Sequence, residues 1–187
     1  MDSSTVTLIA VVVVAVIIIA AILFLAMRKQ RTARLRSRFG PEYERTVDDV
    51  GDRHKAEHEL HERQRRVAKF EIRPLSVSER DHFIERWRVI QAEFVDQPKQ
   101  ALAQADDLLT DVMRARGYPV ENFEQRSADL SVDHPSVVQH YRAGRDIAIR
   151  HRSGEADTED LRQAMIHFRA LFDELIDDSA ADARRHA

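Results

Sequence analysis

An uninterrupted apolar run from Val6 to Met27 constrains this chain more than any other feature. The run contains no charged side chain, and Thr7 carries its only hydroxyl group. At about 1.5 Å of rise per residue, a helix of this length extends roughly 33 Å, which matches a bilayer core of about 30 Å. Many of the residues are β-branched, but one strand of this length is not expected, and a helix satisfies its own backbone in lipid. Residues 6–27 are therefore predicted to form a transmembrane helix.

The charges beside the apolar run predict its orientation. Residues 1–5 carry only Asp2 and the terminal amine, whereas residues 28–41 carry six basic side chains and no acid. The positive-inside rule then predicts a bacterial inner-membrane protein with a short non-cytoplasmic N-terminus and a cytoplasmic C-terminal domain. A cleavable signal peptide is disfavoured by the acidic start, the long apolar core and the lack of a small-residue cleavage site. The inverted topology, with the domain facing the envelope, is an alternative.

The basic side chains of the flank 28–41 are the candidate membrane-interface residues. Cations near anionic headgroups contribute roughly 1 kcal/mol each to membrane binding. Membrane lipid is accordingly a predicted partner, although setting the orientation of the helix is a sufficient role for the same side chains. The candidates are Arg28, Lys29, Arg31, Arg34, Arg36 and Arg38.

The charge and composition of the remaining chain exclude several classes of function. The whole chain carries −3, and residues 1–38 hold six basic side chains and one acid, so residues 39–187 carry −8. An acidic body argues against nucleic acid as a partner, because the phosphate backbone requires a basic face. The lack of cysteine excludes thiol nucleophiles, iron–sulfur clusters and cysteine-based zinc sites. The strong preference for arginine over lysine indicates a GC-rich bacterial genome.

The rest of the chain has the hydrophobic periodicity of helices, and no pair of strands joined by a hairpin turn is indicated. Residues 42–73 are highly charged with a thin apolar line, which predicts a long, mostly exposed stalk helix. Residues 74–177 predict a bundle of about four amphipathic helices with short loops, and residues 178–187 a frayed tail. The predicted fold class is therefore all-α, with a transmembrane helix, a charged juxtamembrane helix and a helical bundle.

Local signals place the helices of the bundle along the chain. Ser76 and Glu79 form a predicted capping box, and Asp133 is a predicted N-cap. The last helix begins near Asp157 and carries the most regular apolar stripe, with the spacing of a coiled coil. Gly144, in the helix before it, costs about 1 kcal/mol unless a neighbouring helix approaches closely there. The stripe of the last helix consists of Leu161, Met165, Phe168, Phe172 and Leu175.

One short string in the charged segment has the spacing of a metal site. His54-Lys55-Ala56-Glu57-His58 matches the H-x-x-E-H pattern of inverted-motif zinc peptidases, in which two histidines bind zinc and a glutamate polarises a water. Those enzymes supply a further glutamate inside a walled cavity, whereas this string lies in the most charged part of a short chain. A solvated helix face is the better interpretation. The alternative is a metal-binding sensor or hydrolase that uses His54, Glu57, His58 and His61.

Other candidate groups are explained at least as well by folding. Asp133 and His134 resemble an acid–base pair, but their position before an amphipathic helix indicates a helix start. His134, His140 and His167 converge only if the bundle brings their helices together. Three aromatic residues at helical spacing indicate core rather than a ligand box. They are Phe83, Trp87 and Phe94.

Five short segments occur in order along the chain. They are Arg-Phe-Gly-Pro-Glu-Tyr (38–43), Ile-Arg-Pro-Leu (72–75), Arg-Gly-Tyr-Pro (116–119), Ser-Val-Asp-His-Pro (131–135) and Thr-Glu-Asp-Leu-Arg (158–162). This order resembles a family of uncharacterised bacterial single-pass, membrane-anchored proteins, usually labelled hypothetical or secreted. The resemblance spans most of residues 35–176. It implies a folded domain and carries over no activity, cofactor or catalytic residue.

The sequence as a whole predicts a non-enzymatic interaction or structural protein. A bare tether and an acidic helical domain suit a protein that holds a partner protein, or a second copy of itself, near the inner surface of the membrane. No catalytic residue, cofactor, metal or small-molecule substrate is indicated. A metal-dependent sensor or hydrolase and an envelope-facing domain are the alternatives.

Overall fold

The computed structural model describes the backbone of residues 3–177 and the side chains of residues 16–177. The predicted frayed tail, residues 178–187, lies outside the described residues. Within residues 3–177 the chain folds into eight helices and no strand. It divides into two compact units, Met1–Arg38 and Phe39–Ala187. The helices are α1 (Ser3–Phe39), α2 (Pro41–Val50), α3 (Arg53–Val67), α4 (Val77–Glu93), α5 (Pro98–Ala115), α6 (Phe123–Asp133), α7 (Val138–Arg152) and α8 (Thr158–Ile176).

The structure of the first unit does not support the predicted membrane anchor. No helix in the part of the chain that the structure describes is long and apolar enough to cross a membrane. The described apolar side chains of α1 run from Val16 to Met27 and are followed at once by Arg28. That stretch is about 18 Å of helix, against a bilayer core of about 30 Å. The side chains of residues 1–15, which include the predicted N-terminal segment and the start of the predicted span, lie outside the described residues.

The predictions that rested on the anchor are corrected with it. For the described part of the chain, three predictions are wrong: the transmembrane helix at 6–27, the single-pass topology, and the inner-membrane location with a cytoplasmic domain. The inverted topology requires the same helix and is not supported either. The six basic residues predicted at the membrane interface are exposed on the last turns of α1. Their assignment to lipid stays a prediction on which no later proposal depends.

In the second unit, four helices form the main hydrophobic core, and the predicted helical bundle is confirmed. α8 contacts both α5 and α7, and α5 also contacts α4. The apolar stripe of α5 and the predicted stripe of α8 meet in this core, where Leu108, Leu109, Phe168 and Leu175 are buried. Burial of such stripes is the main favourable contribution to a bundle of this size.

The charged segment 42–73 forms two helices instead of one exposed stalk. α2 ends at Val50 and is capped by Gly51, whose φ of 72° lies in the left-handed region that glycine adopts without strain. α2 packs on α3, α3 on α6, and α6 on α7. The thin apolar line of the segment is therefore buried in a second layer of the same unit. Its buried members are Tyr43, Leu60 and Val67, and Ala56 of α3 is buried as well.

Two of the predicted helix starts are confirmed by hydrogen bonds, and a third differs. The side chains of Ser76 and Asp157 each accept a hydrogen bond from the third residue of their helix and form complete capping boxes. Asp133 instead is the buried last residue of α6. α7 begins at Val138 without a side-chain cap. The carboxylate of Asp133 has a different partner, the hydroxyl group of Tyr118.

Candidate interaction groove between two helices of the bundle

A groove follows the exposed side of α4 where this helix meets α5. One stripe of α4, from His82 to Glu93, forms its first wall, and Gln104 and Asp107 of α5 form the second. The groove encloses about 450 Å³. This volume falls within the roughly 300–1,000 Å³ of typical ligand sites.

The apolar face of α4 accounts for the position of this groove. Phe83, Trp87 and Ile90 are buried against the core, and Trp87 stacks on Phe172 of α8 with 4.7 Å between ring centroids. Residues three or four positions apart share one side of a helix. The neighbouring side of α4 therefore presents Val89, which is 49% exposed, between two glutamates.

The polar groups around Val89 leave several acceptors unused. Arg86 is held by Asp111, with 2.9 Å between Nη2 and Oδ2. In contrast, the carboxylates of Glu93 and Asp107 have no hydrogen bond or ion pair within residues 16–177. The buried amide oxygen of Gln104 likewise has no partner there. The groove thus combines an exposed apolar patch with unpaired acceptors.

The predicted metal string lies on α3 and does not form a metal site in the described residues. His54, His58 and His61 are exposed, and Oε1 of Glu57 accepts a hydrogen bond of 2.8 Å from the hydroxyl of Tyr43. No group of three or more histidine, aspartate or glutamate side chains among residues 16–177 is placed to hold a metal ion. Glu57 therefore serves to join α3 to α2.

The bundle brings two of its three candidate histidines together. Nδ1 of His140 on α7 lies 2.9 Å from Nδ1 of His167 on α8. Partial burial and the nearby His140 lower the pKa of His167 below its usual value. His134 lies apart from this pair, with its Nδ1 3.1 Å from Oε1 of Glu174.

Asp133 and His134 do not form the acid–base pair that their sequence suggested. Both are buried, but Oδ2 of Asp133 accepts a hydrogen bond of 3.0 Å from Tyr118, whereas His134 pairs with Glu174. The two neighbouring side chains thus join different parts of the chain. These contacts tie the end of α6 to the ends of α5 and α8.

A buried carboxylate that the sequence did not single out joins three helices. The side chain of Glu42 on α2 is only 1% exposed. Its Oε1 lies 2.9 Å from Nη1 of Arg63 on α3 and 2.8 Å from Nη2 of Arg142 on α7, and Gln139 donates to its Oε2 at 2.8 Å. The only sequence signal for this role was the charge pattern of α2, which is typical of a solvated surface.

A second buried polar contact links α7 to α5. The hydroxyl of Tyr141 lies 3.4 Å from Oδ1 of Asp106, whose Oδ2 accepts a hydrogen bond of 2.8 Å from Arg145. Burial, followed by the negative charge of Asp106, raises the pKa of the Tyr141 hydroxyl above its usual value. The phenol therefore keeps its proton in the folded protein at a pH where an exposed tyrosine has lost it.

Comparisons with protein-family models, curated proteins and solved structures found no match to this chain. The resemblance based on short segments therefore stays a prediction.

Proposed function

We propose that the unit Phe39–Ala187 is a non-enzymatic interaction domain that binds a cationic, amphipathic segment of a partner protein in the groove between α4 and α5. The observation that carries this proposal is the exposed Val89 beside the unpaired acceptors of Glu93, Gln104 and Asp107. An apolar side chain of the partner covers the valine, and donors of the partner bind the oxygen atoms.

The charge of the groove favours a partner segment with positive charge. The single cation in its walls, Arg86, is engaged by Asp111, so Glu93 and Asp107 remain to attract lysine or arginine. Residues 39–187 carry −8 in total, which extends the same preference to the surrounding surface. Exposed ion pairs contribute only about 0–1 kcal/mol each, so covering Val89 must supply part of the affinity. Salt is expected to weaken the association.

The length of the groove indicates the form of the partner. From His82 to Glu93 the wall of α4 extends about 17 Å, or three helical turns. A groove of this length suits an amphipathic helix that places its apolar residues at i, i+3 or i+4, and i+7.

The proposal is tested by fluorescence anisotropy with the full-length chain and a defined probe. The probe is an amphipathic helical peptide of lysine and leucine, about three turns long. A peptide with glutamate in place of lysine serves as the ligand control. The test variant reverses both groove acids, Glu93→Lys with Asp107→Lys, and a second variant, Val89→Asp, removes the apolar contact. The matched control reverses two exposed acids elsewhere, Asp48→Lys with Glu155→Lys, and changes the net charge equally.

The proposal requires that the groove variants weaken binding of the lysine peptide roughly tenfold or more while the matched control stays close to wild type. An equal loss in the groove variant and the control shows general attraction to an acidic surface and overturns the proposal. Sedimentation equilibrium of the same samples shows whether the chain self-associates. If the chain self-associates and Val89→Asp abolishes this association while the peptide does not bind, the groove is occupied by a second copy instead.

A further inference from the structure

The two histidines that α7 and α8 bring together have the arrangement of a pair of metal ligands. Nδ1 of His140 and Nδ1 of His167 are 2.9 Å apart, and the ring centroids are 5.2 Å apart with 37° between the ring planes. The groove between α4 and α5 does not include either residue. The pair is therefore independent of the proposed interaction site.

Two ring nitrogens at this distance require an electropositive atom between them. A neutral imidazole has one nitrogen with a proton and one with a free lone pair. Either one nitrogen donates its proton to the other, or both lone pairs are directed at a cation. Metal–imidazole bonds are about 2.0–2.1 Å long, so two ligands at a right angle around one ion have nitrogens about 2.9 Å apart. Right angles between ligands are typical of the tetragonal geometry of Cu(II).

The backbone under the pair is fixed by core packing. Gly144, one turn after His140, lets α7 approach α8 so closely that a Cβ there would lie 2.5 Å from Phe168 and 3.3 Å from the carbonyl oxygen of Ala164. Phe168 follows His167 directly and is fully buried. Ligands on rigid, closely packed helices keep their separation without a metal, which lowers the cost of binding one.

The surroundings of the pair are compatible with a cation. The residues three and four positions before and after each histidine are uncharged, so the neighbours on the same helix face as His140 or His167 carry no positive charge. His140 is exposed, so an ion bound there is open to water or to an external ligand.

We propose that His140 and His167 form a two-histidine site for Cu(II), in which both Nδ1 atoms bind the ion and solvent supplies the other ligands. Imidazole nitrogen has a high affinity for divalent copper among the first-row metals. The site joins α7 to α8, which approach each other at Gly144 too closely to admit a Cβ atom without a shift. Copper binding therefore stabilises this pair of helices.

The test is a titration of the full-length chain, prepared without a histidine tag, with Cu(II) in a buffer that does not bind metals. Binding is followed by calorimetry and by electron paramagnetic resonance, in which nitrogen couplings count the imidazole ligands. The test variants are His140→Ala and His167→Ala. The matched control is the double variant His54→Ala with His58→Ala, which removes two exposed histidines from α3. Circular dichroism confirms that each variant is folded.

The wild type and the control are expected to bind one tight Cu(II) ion with two nitrogen ligands, and each test variant to lose roughly tenfold or more in affinity. Copper is also expected to raise the thermal unfolding temperature of the wild type and not of the test variants. Unchanged affinity in either test variant overturns the proposal. A signal that disappears in the α3 control instead shows adventitious binding to that segment, and it overturns the proposal as well.

Discussion

A Cβ atom at Gly144 would lie 2.5 Å from Cε1 of Phe168, so the approach of α7 to α8 here depends on the lack of a side chain at this position. Real Cβ atoms do not come this close to a ring carbon. Glycine inside a helix is unfavourable by about 1 kcal/mol relative to alanine. The sequence therefore retains a poor helix former in α7 because the packing against α8 requires it.

The first prediction concerns Gly144→Ala. The added methyl group must displace the buried ring of Phe168 or separate the helices, and overpacking of this kind costs about 1–3 kcal/mol. The gain in helix propensity offsets about 1 kcal/mol of that cost. We expect a net decrease in the free energy of unfolding, measured by urea denaturation followed by circular dichroism.

A double-mutant cycle separates this steric effect from a general effect of the backbone. Phe168→Leu removes the ring atoms that the new Cβ would meet. In that background Gly144→Ala is expected to be clearly less destabilising, because the clash with the ring is gone and only the contact of 3.3 Å with the carbonyl oxygen of Ala164 opposes the propensity gain. An equally destabilising effect in both backgrounds would show that Phe168 is not the obstacle.

The second prediction concerns the buried carboxylate of Glu42. Glu42→Ala leaves Arg142 with an uncompensated charge in a largely buried position, whereas Arg63 keeps its ion pair with Glu59. Removal of one partner from such a pair typically costs about 3–5 kcal/mol. We expect a loss of this size in urea denaturation, together with loss of the contact between α2 and α7. The exposed acid Asp48, on the same helix, is the control, and Asp48→Ala is expected to stay within about 0.5 kcal/mol of wild type.

The third prediction concerns the cap of the last core helix. Oδ1 of Asp157 accepts a hydrogen bond of 2.9 Å from the backbone N–H of Asp160. Asp157→Ala removes this acceptor and is expected to cost about 1 kcal/mol, whereas Asp157→Asn keeps an acceptor and is expected to cost less. Thermal unfolding of the two variants measures the difference. Equal losses would indicate that the charge, and not the hydrogen bond, is important.

The sequence predicted those parts of the fold that depend on local patterns. The stripe from Leu161 to Leu175, the capping box at Ser76 and the start of the last helix near Asp157 each depend on a short stretch of chain, and the structure has them as predicted. The second layer was not predicted, because Tyr43 and Leu60 are too widely spaced to indicate a buried face. Their burial depends on α6 and α7, which follow much later in the chain.

The candidate sites were harder to predict for the same reason. Asp133 has the local pattern of a helix cap, but its carboxylate binds Tyr118, which precedes it by fifteen residues. His140 and His167 are twenty-seven residues apart and meet only because Gly144 brings their helices together. The groove is formed by α4 and α5 jointly, so neither helix alone indicates it. Contacts between residues that are distant in sequence produce no periodic pattern in the sequence.

The last prediction concerns the alkaline limit of stability. The folded protein raises the pKa of Tyr141 above the value of about 10 that the unfolded chain has. Above that pH the unfolded state has released a proton that the folded state keeps, so the free energy of unfolding falls by about 1.4 kcal/mol per pH unit until the folded pKa is reached. This contribution is fully present below about pH 10.

Tyr141→Phe removes the titrating group. Because the contact of Tyr141 with Asp106 is long, at 3.4 Å, the variant is expected to lose only about 1 kcal/mol or less at neutral pH. Above about pH 10 its unfolding free energy is expected to fall less steeply with pH than that of the wild type, because one proton fewer is released on unfolding. Urea denaturation across this range measures both slopes. Parallel curves would show that burial in α7 does not hold the proton on Tyr141, since the variant differs from the wild type only in that hydroxyl group.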